Sequence, residues 1–238
     1  MPTPVKPSQS VYPYAHWYFA LAIITTWVGF SQSYFSRLGK VTIFHHLHGA
    51  TAGLWMVLVI VQPVLYHRGK ISLHRQLGRI ATYTLVPLLI IGGFVMMRLM
   101  IINKADYPPG AVYQLAYIDL YSLILFPLFF CLGIKYAKQV NLHARYMACT
   151  VLVLLPPAIT RMLFLIPWFD SFNKTLNASF IIIELILLLL FWDDRKTTGR
   201  IQKTYQLAMV LFVLLHITMN YAGNWPWWQH LMNAYAGL

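Results

Sequence analysis

Long apolar runs separated by short basic loops organise this chain from end to end. Seven runs can be read, at about 15–35, 44–66, 78–102, 113–137, 143–167, 176–192 and 204–222. Each has roughly the 17–25 residues that cross a bilayer. A segment in hydrocarbon must satisfy its own backbone hydrogen bonds, so all seven are expected to be helices. The expected fold is all-α, a polytopic transmembrane bundle of seven helices spanning 15–222. Residues 1–14 form a cytoplasmic tail, and 223–238 form a Trp-rich tail at the outer interface.

The loops predict an orientation. Alternate loops carry Arg68, Lys70, Arg75 and Arg79, then Lys135, Lys138 and Arg145, then Arg195, Lys196, Arg200 and Lys203. The opposite loops carry fewer cations, among them Arg37, Lys40, Lys104 and Lys174. The positive-inside rule puts the first set in the cytoplasm, with the N-terminus inside and the C-terminus outside. Arg145 reads as a cytoplasmic anchor on this pattern. Trp225, Trp227 and Trp228 then fall at the outer interface, where indoles are favoured. Pro63, Pro87, Pro127 and the pair Pro156–Pro157 interrupt spans and set bundle geometry. Gly49 and Gly53 form a small-xxx-small pair that would admit a neighbouring helix, within the chain or in a homo-oligomer.

Composition agrees with that pattern. The chain of 238 residues is 59% hydrophobic and 10% charged, against about 25% charged in soluble domains. A net charge of +12 would suggest nucleic acid in a soluble protein. Here the cations sit in loops, so anionic lipid headgroups at the cytoplasmic face are the expected partners and nucleic acid is not. Cys131 and Cys149 lie in apolar runs and are read as packing residues. Met1 to Ser10 holds prolines and a lysine without an apolar core, so the first span reads as retained rather than cleaved. The expected location is a bacterial inner membrane.

Chemistry enters with the ionisable groups inside the runs. Such groups cost about 2.5–3.5 kcal/mol each on insertion scales and mark function more often than packing. His45, His46 and His48 open the second run, His67 closes it, and His74 precedes the third. Arg98, Asp119, Arg161, Glu184 and His216 fall within or near the ends of later runs. The topology sorts these into two layers. His45, His48, Arg98, Asp119, Arg161, Glu184 and His216 lie towards the outside, and His67, His74 and His143 towards the inside. His45 and His48 share a helical face, as do His216 and Asn220.

Three chemistries suit these layers. Haem b needs neutral imidazoles from facing helices at equal depth. His48 with His216 meets that condition on the outer side and His74 with His143 on the inner side, so two haems would pass an electron across the membrane. A non-haem zinc, iron or copper site would use His45, His48, His216 and Glu184, and would make the protein a metal-dependent enzyme acting on a lipid. A metal-free alternative is a proton-coupled transporter or channel, with Arg98, Asp119, Arg161 and Glu184 as an intramembrane charge cluster.

Several stretches carry a resemblance. His48-Gly49, Leu73-His74-Arg75-Gln76-Leu77-Gly78-Arg79, His143-Ala144-Arg145-Tyr146-Met147 and Gly29-Phe30-Ser31-Gln32-Ser33-Tyr34-Phe35 together resemble a family of uncharacterised bacterial multi-pass membrane proteins, which implies no activity. Ser72-Leu73-His74-Arg75-Gln76-Leu77-Gly78 is also similar to a pattern in transmembrane diheme b-type cytochromes that take electrons from ascorbate. That resemblance implies a haem-linked oxidoreductase, and in that family another span opens with His followed by a nearby Gly; it leaves the pairing of ligands open. It supports neither His143 nor His216, and the present chain has one span more than that family.

Overall fold

The computed structural model describes Tyr12 and residues 14–237, and every regular element in it is helical. In chain order these are α1 (Ala15–Phe30), α2 (Ile43–His67), α3 (Ile71–Ile80), α4 (Val86–Ile102), α5 (Ala111–Lys135), α6 (Val140–Leu154), α7 (Pro156–Leu163), α8 (Phe172–Thr198), α9 (Lys203–Ala222) and α10 (Pro226–Ala236). Single 3₁₀ turns lie at Phe35–Arg37 and Lys104–Asp106.

Five helical segments are long and apolar enough to cross a membrane: α2, the continuous Ile71–Ile102, α5, α8 and α9. The α6–α7 pair becomes a sixth if its 42° bend lies within one span. The expected run 15–35 is shorter than anticipated. Helix α1 stops at Phe30 after 16 residues, about 24 Å at 1.5 Å per residue, against a hydrocarbon thickness of about 30 Å.

The prolines explain where helices break. Pro156 lacks an amide hydrogen and opens α7, so the expected run 143–167 is broken after Leu154. Pro87 removes the amide that would meet the Tyr83 carbonyl. The preceding turn widens into a π-helix over Ala81–Leu85, with the Val86 amide donating to the Ala81 carbonyl. Pro63 and Pro127 are instead carried inside α2 and α5.

Helix α5 is central and packs against α4, α6, α9 and α10. Trp55 of α2 sets its ring edge-on to Phe126 at 5.2 Å and Phe130 at 5.6 Å, and its Nε1 donates to Thr150 Oγ1 at 3.3 Å. Cys149 is buried in the same core, whereas Cys131 lies on the outside of the bundle. The close approach of α1 to α7 depends on Gly29, where a Cβ would collide with the Ala158 carbonyl.

Two expectations are corrected here. Residues 223–238 are not a surface tail: among its described residues, Pro226–Ala236 fold as α10 against α4 and α5, and Trp228 is buried with Met97, Ile101 and Val112. The Trp228 indole donates to the Tyr113 carbonyl at 2.8 Å. Gly49 and Gly53 do not receive a helix between them either. Gly49 faces the Tyr34 ring, and no atom approaches the Gly53 position.

Candidate functional site

The inner histidines are brought together by two separate local devices. After α2 ends, Gly69 takes a left-handed φ of +70°, a conformation glycine adopts without a steric penalty. This folds α3 back on α2. Gln62 of α2 then clasps His74 of α3 from both ends of the peptide unit. The Gln62 Nε2 donates to the His74 carbonyl at 3.2 Å, and the His74 Nδ1 donates to the Gln62 carbonyl at 3.3 Å. His143, in the first turns of α6, donates from Nδ1 to the Gly133 carbonyl of α5 at 2.9 Å.

The two rings meet edge to face, with centroids 6.2 Å apart and planes at 74°. Tyr66 lies edge-on to His74 at 6.2 Å and to His67 at 5.7 Å. A carbonyl can only accept, so each Nδ1 carries the proton. In the neutral imidazole, the form that ligates metals, Nε2 would then carry the lone pair. Hydrogen bonds of this kind at the second ring nitrogen orient ligating histidines and raise their basicity. Imidazole nitrogens are a donor type that metals and haem iron accept, and these two rings stand in edge-to-face contact.

The outer pair is not formed. His216 of α9 uses both ring nitrogens within its own neighbourhood, Nδ1 with Glu184 Oε1 at 2.8 Å and Nε2 with Asn177 Oδ1 at 3.1 Å. Its ring stacks on Phe180. His48 lies elsewhere, on α2 against Gly92 of α4, with its buried Nδ1 lacking a hydrogen-bond partner. Helix α9 packs on α5, α6 and α8, while α2 packs on α1, α3 and α4, so His48 and His216, expected at equal depth, are not brought together.

The non-haem quartet is corrected for the same reason. Among the described residues no three His, Cys, Asp or Glu side chains converge as a metal site, so His45, His48, His216 and Glu184 do not surround one ion. His45 instead pairs with Thr42 and His46 with Tyr34, each at 2.8 Å.

The charge cluster also disperses. Arg98 donates to the Ala236 carbonyl at the end of α10. Glu184 belongs to His216. Asp119 of α5 and Arg161 of α7 lie within electrostatic range of each other, with Arg161 bonded to the Pro157 carbonyl and set over the Phe30 ring at 4.6 Å.

One buried ion pair escaped the sequence reading. Arg145 is not a cytoplasmic anchor but reaches Asp194 of α8, with Nη2 at 2.6 Å and Nε at 3.1 Å from Oδ1. The side chains are 3% and 0% exposed. Tyr12 donates to the same oxygen, the Gln202 amide donates to Oδ2, and Tyr205 donates to the Tyr12 hydroxyl. Burial pushes the Tyr12 phenol above its ordinary value, so it remains a donor. The available signal was Asp193-Asp194, two carboxylates placed against an otherwise cationic loop. Every group is satisfied within the bundle, which reads as structural locking of α6, α8 and α9.

Comparison with known proteins found no match among protein-family models, curated proteins or solved structures.

Proposed function

We propose that this chain is a multi-pass protein of a bacterial inner membrane and that His74 and His143 hold a b-type haem iron for electron transfer. The observation that carries this reading is the adjacent, edge-to-face imidazole pair, 6.2 Å between centroids, with each Nδ1 donating to a backbone carbonyl. Haem would supply reversible one-electron storage. The chain supplies the neutral Nε2 donors, and Gln62 and Gly133 fix their orientation. The bundle carries the basic loops and the N-terminus on the cytoplasmic side, with α1 and the bent α6–α7 pair completing seven spans. Since His48 and His216 lie apart, the reading involves one haem near the cytoplasmic face and not a two-haem relay.

The test is the optical spectrum of the full-length protein, purified in detergent from cells supplied with a haem precursor. A narrow reduced-minus-oxidised α band is expected. His74→Ala and His143→Ala should each lose it, and His216→Ala should retain it. A colourless wild-type protein rejects the proposal.

A second reading, proton-coupled transport, draws on Glu184 and His216. Asn177 Oδ1 accepts from His216 Nε2, so the 2.8 Å contact to Glu184 holds one shared proton. Proton flux into vesicles bearing the protein, abolished by Glu184→Gln, would favour it. Equal flux in the wild type and the variant would dismiss it.

A further inference from the structure

We propose a copper(I) site at the opposite end of α2 from the histidine pair, with His45, Met96 and Met100 as ligands. A cavity of about 290 Å³ is bounded there by His45, Met96, Met100, Asn103, Asp106 and Tyr107. Met96 and Met100 are one helical turn apart on α4, so their thioethers share a face. His45, in the first turn of α2, closes the cavity from the other helix.

The His45 ring is already oriented, because Nδ1 is bonded to Thr42 Oγ1 at 2.8 Å. That leaves Nε2 as the nitrogen available to a ligand. Asp106, an acidic residue, is among those lining the cavity.

The donor set selects the metal. Thioethers are soft and favour copper(I), and imidazole suits copper as well. Calcium takes six to eight oxygen ligands and magnesium near-ideal octahedral oxygen geometry, whereas the side-chain oxygens among the lining residues are those of Asn103, Asp106 and Tyr107. Zinc sites are built from thiolate, imidazole and carboxylate, and no such group of three forms among the described residues.

Packing is the competing explanation for a methionine stripe. The neighbouring Met97 shows what packing looks like here: it is 1% exposed and lies in the core under α10. Met100 packs in part against that same core, but both Met96 and Met100 are only partly covered and line the cavity. Methionine's three rotatable bonds let both thioethers close on an ion without backbone movement.

The experiment is an anaerobic copper(I) titration of the detergent-purified full chain, with ascorbate as reductant and a chromophoric copper(I) chelator as competitor. One copper(I) per chain is expected. The volume-conserving double variant Met96→Leu/Met100→Leu should weaken binding at least about tenfold, with its melting temperature unchanged as the control for folding. X-ray absorption of the copper complex should show sulfur scattering that the double variant lacks. Removal of the haem-site histidines, His74→Ala/His143→Ala, should leave copper(I) affinity intact, which separates this site from the one proposed above. The assignment is overturned if the wild type binds no copper(I), if the double variant binds as tightly, or if binding follows His74 and His143.

Discussion

Arg145 and Asp194 stand 49 positions apart in the sequence and meet at 2.6 Å with almost no exposed surface. Breaking a buried pair leaves an uncompensated charge, which costs about 3–5 kcal/mol, whereas replacing both partners with apolar groups is often neutral. Arg145→Met and Asp194→Leu should therefore each destabilise strongly. The double variant should recover much of the loss. Thermal denaturation in detergent, read as a double-mutant cycle, checks this. Additive losses would show that the contact does not couple the two residues.

The two neighbouring indoles of α10 should behave differently. Trp228 is 2% exposed and bonded to the Tyr113 carbonyl, while Trp227 is 61% exposed. Trp228→Ala should cost about 3–5 kcal/mol, as for other large core truncations. Trp227→Ala should leave the melting temperature close to the wild-type value.

Two glycines give a similar contrast. Gly29→Ala would press a methyl group into the Ala158 carbonyl, a rigid backbone atom, and overpacking of this kind costs about 1–3 kcal/mol. Gly53→Ala meets no neighbouring atom and should be neutral or slightly stabilising, since alanine is the better helix former. Comparative melting of the two variants tests the α1–α7 contact. If the Gly53 variant proves the more damaging, that face is covered by a second copy.

At the α7–α8 turn, Lys174 donates to Asp170 Oδ1 at 2.8 Å and holds its carboxyl below the ordinary carboxylate value. A depressed folded value means that the contribution is present above the unfolded value and is lost as pH falls through the folded one. Both side chains are exposed, so the effect on stability should be small. Lys174→Ala should return the Asp170 titration to the ordinary range, measured by carboxyl-carbon NMR.

What was legible in the sequence is what depends on local periodicity and solvent preference. Long apolar runs determine helices, because unsatisfied backbone groups are too costly in hydrocarbon. The Pro156–Pro157 pair marked a break for equally local reasons.

Depth does not determine which helix stands beside which, and that neighbour relation decided the site. His74 and His143 meet because α3 folds back at Gly69 and α6 packs against α5. His48 and His216, expected in one layer, stand on helices with different neighbours. Arg145 looked like a loop cation because its partner lay on a distant helix. The sequence by itself determined an all-helical, membrane-compatible chain with polar groups inside its apolar runs. Only the tertiary structure decided their partners, because side-chain packing between helices selects rotation and adjacency that hydrophobicity alone leaves free.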